Sequence, residues 1–347
     1  MTRRLWVVAG GTRTTASTRH RLWNYRPFLE ADGVELRWTE YEGGRTESPL
    51  RAARERAAFL GRLLLPVPPG ATVLVQKVLL PGPLLERWRA DRHRIVYDFD
   101  DALFAPVPWG EDEAAVARRR ARLDRMLLAA DHVIAGSPPL ADYARAHARA
   151  VEVLYPSLDR EAVGTPAPRA DDGTLRVGWI GNDQSQRYLL ALVPVLTPIF
   201  ARRPGLRLCV CSSRPPELPG PLAQRLEFVP WSEAAEREAT ARFDVAISPM
   251  DGAVWSRARG GRVSVLRSMA AGVPVVAAPG GGLETLCGTR GVRFAEEPEE
   301  WRQEIEALLD DPVLRTERGR EARAVVDASI WADVQYPRLR AILFPEW

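Results

Sequence analysis

The sequence predicts an α/β protein made of two doubly wound parallel-sheet domains in tandem. Three observations carry that prediction. Short apolar, β-branched runs alternate with helical patterns along the chain. Runs such as TVLVQ and IVYDF are apolar on both faces, as strands covered by helices on both sides must be. The alternation breaks at LDREAVGTPAPRADDGT, residues 158–174, where Pro, Gly and charge replace periodicity, and then restarts.

In chain order, the first half gives strand patterns at LWVVAG, VELRWTEY, ATVLVQK, RIVYDFD, HVIAGS and AVEVLYP. Helical patterns at TRHRLWNYRPFLEADG, SPLRAARERAAFLGRLL and EDEAAVARRRARLDRMLLAADH lie between them. The second half gives strands at LRVGWIGN, LRLCVCSS, RLEFVPW, FDVAISPM, VPVVAAP and RGVRFAEE, with helices including SQRYLLALVPVLTPIFARR, SEAAEREATARF, RVSVLRSMAAG and PEEWRQEIEALLDD. The expected organisation is a first domain over 1–163, a linker over 164–173 and a second domain over 174–328. A final amphipathic helix over 329–347 packs back on the first domain, and Pro337 should kink or interrupt it. Ligands collect at the carboxyl ends of the strands in such sheets, so two of them in tandem are expected to enclose a cleft.

Composition narrows the class. The 347 residues suffice for two ordinary cores, and 46% hydrophobic with 27% charged residues is a globular profile. A net charge of +3 calls for no nucleic acid. Lys77 is the sole lysine among 48 basic residues, a bias that a GC-rich genome produces and that supplies rigid forks suited to phosphates. Cys209, Cys211 and Cys287 lack a disulfide pattern, and Cys209 and Cys211 read as small buried residues on one strand face. No apolar stretch approaches the ~20 residues of a membrane span, and the N-terminal run is too short for a signal segment. A reduced, cytoplasmic protein is expected.

Three stretches bear chemistry. In VVAGGTRTTASTRHR, Gly10 and Gly11 allow a tight turn after the first strand, either a plain turn or a ligand-contacting loop. Arg19 and Arg21 oppose the local helix dipole, so they call for an anion, and the carboxylates of VYDFDDALF are one candidate. In RVGWIGNDQSQRYLLAL, Gly181 and Asn182 lead into a helix whose free amides could hold a phosphate, with Arg187 adding a fork. The alternative is a helix capped by Asp183 or Ser185. In SPMDGAVWSRARGGRVSVLRSMAAGVPVVAAPGGGLETL, two glycine-rich loops follow strand ends, one carrying Arg257, Arg259 and Arg262. They could cradle a diphosphate, against the plainer reading of solvated arginines.

That last stretch resembles the C-terminal domain of group 1, family 4-type GT-B glycosyltransferases, which are retaining. FDVAISPMDGAVWSR and LRSMAAGVPVVAAPGGGLETL carry the likeness. VGWIGNDQSQRYL is similar to the first strand and glycine loop of that domain. VLVQKVLLPGPLLERWRADRHRIVYDFDDALF and AADHVIAGSPPLADYA are similar to N-terminal segments of the same family, in a "YDFDD" subgroup. The resemblance implies two Rossmann-like domains facing a cleft, with an acceptor in the first and a UDP-, GDP- or dTDP-linked sugar in the second. It implies no cofactor beyond that co-substrate and no metal. Arg187 stands where relatives often have a diphosphate-binding lysine, Arg259 lies in the basic loop, and Gly280, Gly281 and Gly282 offer amides. Glu284 matches an acidic position, and Pro230 and Trp231 fall where relatives cradle the base, Trp231 as a stacking platform or a core anchor. The sequence departs from relatives that carry glutamates eight residues apart, the second reading ribose hydroxyls. Arg259 and Arg267 occupy those places, and a cation accepts no hydrogen bond.

The aspartates of VYDFDDALF remain. Asp98 and Asp100 are two apart and share a strand face, while Asp101 takes the other. A D-x-D metal clamp belongs to another transferase architecture, so the resemblance disfavours it. Asp100 falls where relatives carry a cleft histidine, which implies that Asp100 or Asp101 positions an acceptor or sugar hydroxyl. Buttressing by Arg19 or Arg21 is the structural alternative. The acceptor could be a glycan, a lipid-linked group or a small molecule, and exposed Trp and Arg near the N-terminus would suit peripheral contact with an anionic membrane. A degenerate relative acting as a scaffold is the rival from another class. A nicotinamide oxidoreductase ranks last, because no fingerprint loop or acidic ribose reader follows the first strand.

Overall fold

The computed structural model describes residues 3–41, 48–164 and 172–346. Residues 165–171, the greater part of the expected linker, lie outside the described residues. The chain divides into two compact units, 1–157 with 253–261 and 332–347, and 158–252 with 262–331. The division therefore does not follow a single boundary near 163–174. The chain returns to the first unit twice, because each returning segment buries apolar side chains there.

The first unit holds a six-stranded, all-parallel sheet. Its strands are β1 (Arg4–Ala9), β2 (Glu35–Glu40), β3 (Thr72–Gln76), β4 (Arg94–Phe99), β5 (His132–Ala135) and β6 (Val151–Val153), in the order β2-β1-β3-β4-β5-β6. Period-2 alternation splits each central strand between two cores. Trp6, Val8, Val73, Val75, Ile95, Tyr97 and Phe99 face helices Pro49–Leu63, Gly82–Ala90 and Glu113–Ala129. Leu5, Val7, Ala9, Leu74 and Val96 face the opposite core, which takes in Tyr336, Leu339, Ile342 and Leu343 of helix Ala332–Leu343. Thr72 Oγ1 donates to the Leu343 carbonyl at 3.0 Å, fixing that helix at the foot of β3. The helix runs through Pro337 without interruption. Its buried face outweighs the lost backbone donor. Segment 253–261 adds Trp255 and Ala258 to the first core.

The second unit holds β7 (Arg176–Ile180), β8 (Arg207–Ser212), β9 (Leu226–Pro230), β10 (Val245–Ser248), β11 (Val275–Ala277) and β12 (Val292–Phe294). They are all parallel, in the order β12-β11-β10-β7-β8-β9. Numbered within the unit this is 3-2-1-4-5-6, the dinucleotide-fold order, whereas the first sheet follows 2-1-3-4-5-6. One core packs Val177, Trp179, Leu208, Val210 and Ile247 against helices Val193–Arg202 and Pro298–Asp310. Every strand predicted from the sequence is present.

Two of the predicted helices are broken. TRHRLWNYRPFLEADG forms Ala16–Arg21, a 3-10 turn and Arg26–Ala31, while SQRYLLALVPVLTPIFARR forms Gln186–Ala191 and Val193–Arg202. Pro27 and Pro194 each stand in the first turn of the second piece, where a missing N–H costs nothing.

Candidate functional site

Each sheet reverses its strand order at one place, and there the carboxyl ends of neighbouring strands splay to leave room for a ligand. In the first unit that place lies between β1 and β3, in the second between β7 and β10. The sequence-predicted residues are distributed over both.

In the first unit, β4 and the two residues after it deliver three carboxylates into a ring of cations. Asp98 is clamped by Arg21, with Nε to Oδ1 at 2.6 Å and Nη2 to Oδ2 at 2.5 Å, both side chains being almost fully buried. Arg21 Nη1 also donates to the Leu154 carbonyl at 2.9 Å. Burial alone would make the guanidinium easier to deprotonate, but the charge and hydrogen bonds of Asp98 outweigh it and raise its pKa. Asp101 pairs with Lys77.

Asp100 is only 5% exposed. Burial pushes its carboxyl up. The charges of Lys77 and Arg21, a hydrogen bond from Ser17 and the charge of Arg259 push it down harder, so it stays below the usual carboxylate range. Gln76 Nε2 donates to Ser17 Oγ at 2.7 Å, which orients that hydroxyl. Asp100 Oδ1 is buried and has no hydrogen-bond partner among the described residues. A charged, fixed carboxylate with an unsatisfied acceptor calls for one more donor, such as a hydroxyl.

The backbone around Asp100 is closed tightly. The Gly260 amide donates to the Asp100 carbonyl at 2.9 Å. A Cβ at Gly260 would lie 2.1 Å from the Gly136 carbonyl oxygen, so only glycine permits this approach. Arg259, next in the chain, has a buried Nε without a hydrogen-bond partner among the described residues. Gly10, at the end of β1, donates its amide to the Gln76 carbonyl at 3.0 Å. Gly11 packs on the Thr15 and Thr18 hydroxyls, and Arg19 is buried in helix Ala16–Arg21.

The second unit treats its flagged residues differently. After Gly181, the Asn182 side chain accepts from the Ser185 amide at 3.0 Å and its carbonyl accepts from Gln186 at 3.2 Å. Asn182 thus caps the 3-10 turn Asp183–Ser185 and engages two of the amides considered for a phosphate, while Ser185 stands at the N-cap of helix Gln186–Ala191 without a side-chain cap bond. Arg187 lies over the Tyr188 ring, 4.8 Å from its centroid, and donates to the Tyr188 hydroxyl at 3.0 Å.

The three arginines of the basic loop are divided between the two units. Arg257 and Arg259 belong to the first unit and Arg262 to the second. Buried Arg262 donates to the Ser248 carbonyl and hydroxyl, both at 3.0 Å, and to the Ala278 carbonyl at 3.1 Å. It ties the ends of β10 and β11 together, since strand-end carbonyls left unpaired inside a protein are costly.

Gly280, Gly281 and Gly282 have φ of 127°, 69° and 74°, a run open only to glycine. Glu284 is exposed on the five-residue helix Leu283–Cys287. Pro230 ends β9 at the surface, and Trp231 is 41% exposed, which removes the core-anchor reading. The Trp231 indole donates to Glu236 Oε2 at 3.1 Å, and Arg267 Nε lies 3.4 Å from Glu236 Oε1. Arg267, one of the cations in a place where relatives carry glutamate, is therefore buried against a carboxylate from another helix. Ser17, Gln76, Lys77 and Glu236 were not singled out as site residues in the sequence. Lys77 alone left a signal, as the only lysine.

Residues 174–311 match the family model described as Glycosyl transferases group 1. No curated protein matches the chain in sequence. Among solved structures, the sucrose-phosphate synthase of Thermosynechococcus elongatus superposes with a TM-score of 0.71 at 15% identity, covering 99% of this chain and 100% of that one. A glycosyltransferase from Rickettsia africae gives 0.68 at 12% identity, covering 99% and 98%. Anabaena HepE, in complex with UDP and glucose, gives 0.64 at 15% identity, covering 98% of each chain. The chain has the fold of GT-B glycosyltransferases, and its second half matches the glycosyl transferases group 1 model.

Proposed function

We propose that this protein is a glycosyltransferase that moves a sugar from a nucleotide-diphosphate donor to a hydroxyl acceptor, with retention at the anomeric carbon and without a metal. In this reading the second unit takes the donor and the first takes the acceptor. The observation that carries it is Asp100: a buried, ionised carboxylate at the carboxyl end of a central strand, ringed by cations and with one oxygen unsatisfied among the described residues. Its role is to orient a substrate hydroxyl through that oxygen.

On a same-face route, the acceptor hydroxyl gives its proton to the departing diphosphate as the new glycosidic bond forms and the old bond to diphosphate breaks. No protein base is then needed, and stabilising the leaving group is the main catalytic task. Arg187 is assigned to that diphosphate and Arg259 to charge near Asp100. Metal independence is supported by the donor set, because Asp98 and Asp101 are already neutralised by Arg21 and Lys77. HepE was crystallised with UDP, which makes uracil the first base to try.

A thermal-shift panel of UDP, GDP and dTDP with their glucose conjugates tests the reading. Ligand at 100 times its Kd adds about 2.7 kcal/mol to the fold it binds. Selective stabilisation by one base identifies the donor. A chain stabilised by none is better read as a scaffold, the alternative that the internally engaged Arg262 and Arg267 favour. An Arg187→Ala variant with full turnover removes Arg187 from the mechanism.

A further inference from the structure

The only lysine of the chain sits beside the open carboxylate. Arginine supplies every other basic side chain of the 48, yet the position directly after β3 carries Lys77, at the reversal point of the first sheet. Its backbone has φ of 66°, and the Val78 amide donates back to the Gln76 carbonyl at 2.8 Å, so Lys77 is the central residue of a γ-turn. A side chain with a Cβ rarely adopts that conformation. The other non-glycine residue with positive φ among those described is Arg92, exposed and two residues past the end of a helix, where such a conformation is ordinary. At Lys77 no helix end calls for it. The Lys77 amide donates to the Asp98 carbonyl at 2.8 Å, anchoring the turn to β4, and the ammonium pairs with Asp101. Strain kept at a strand end beside a buried carboxylate marks a functional position.

We propose that Lys77 is a positioning residue for sugar transfer: its ammonium holds Asp101, and its turn, bonded to β4, fixes the strand end that aims Asp100 at the hydroxyl. This rests on the role given to Asp100 above. A compact ammonium can sit between two carboxylates, whereas the planar guanidinium used elsewhere in the chain demands its own fork geometry. The groups facing Asp100 are Ser17 and Arg21 from the first helix, Tyr97 and Asp98 from its own strand, Asp101 and Lys77 at the strand ends, and Arg259 from segment 253–261. Among the charges on Asp100, that of Lys77 lowers its pKa most.

A single lysine makes the test clean. Protein grown on 13C-lysine shows one ε-methylene resonance, which is followed during additions of UDP-glucose, GDP-glucose and dTDP-glucose. Turnover and pH profiles are measured with whichever conjugate stabilises the fold, for wild type, Lys77→Met, Lys77→Arg and Asp100→Asn. The expected result is a loss of about 100-fold in kcat for both lysine variants with KM for the donor little changed. The acid limb of the Lys77→Met profile should also move to higher pH.

Variants as active as wild type, with an unmoved acid limb, overturn the proposal. If the variants fail to fold, the wild-type resonance decides: it must shift on protonation of the carboxylates and again when the stabilising conjugate binds, and a static resonance overturns the role. An Asp100→Asn variant with full turnover, or stabilisation by no conjugate, overturns the transferase reading instead and this inference with it.

Discussion

The two strand-reversal sites place similar charges under opposite constraints. In the first unit, cations answer carboxylates clustered at the end of β4, and the buried Asp100 Oδ1 is left without a hydrogen-bond partner among the described residues. In the second, Arg262 and Arg267 are buried and bound to carbonyls and to Glu236, holding strand ends and helices in place. An arginine in a glycine-rich loop thus says little by itself. What it faces decides whether it can meet a ligand.

The strongest way to break this contrast is at the clamp itself. Arg21→Ala leaves Asp98 buried and unpaired, which should destabilise the first unit by about 3–5 kcal/mol in urea unfolding. A loss below about 1 kcal/mol would mean that the charges of the two units are not differently constrained.

Next comes Asp100→Asn, expected to lower turnover by about 100-fold while the protein still folds. The same variant carries a pH signature. The folded-state pKa of Asp100 is depressed, so its contribution to stability is present above the unfolded value of about 3.9 and is lost as pH falls through the folded one. The stability gap between wild type and Asp100→Asn should therefore be open at pH 7 and close in acid. A gap independent of pH would show that Asp100 is not held ionised by its neighbours.

A smaller effect is expected at Arg262. Arg262→Leu removes the donors to the Ser248 and Ala278 carbonyls and should cost the second unit about 1–3 kcal/mol. Unchanged stability with lost nucleotide affinity would return Arg262 to the diphosphate.

The smallest is chemical. Burial pushes the Cys209 thiol up to about 11 and those of Cys211 and Cys287 up to about 12. Ellman's reagent at pH 7.5 should find none of the three until the protein is unfolded. Rapid labelling of the native protein would mean that the faces of the second sheet are open.

The twelve strands were legible because strand burial is written locally. TVLVQ and IVYDF are short and rich in β-branched and aromatic residues, which decides strand over buried helix, and every residue of both is buried. The Arg21–Asp98 contact was half legible, since cations at the start of a helix need an anion and three carboxylates were available. The role of Lys77 was visible only as an oddity of composition. Its γ-turn depends on β3 and β4 lying side by side, which no local pattern encodes. The cap at Asn182 was not legible because four polar residues, 182–185, stand in a row there and a 3-10 turn, invisible in the pattern, precedes the helix that Ser185 begins. Glu236 could not be foreseen opposite Arg267, because 30 residues and a strand lie between them in the chain.

The sequence alone determined two parallel sheets with helices on both faces, since period and burial of each segment follow from its own side chains. Tertiary structure decided where 253–261 and 332–347 pack, which arginines remain able to meet a ligand, and which carboxylate oxygen stays open. Those outcomes depend on pairings between distant segments, where desolvation and charge are balanced only after the chain has folded.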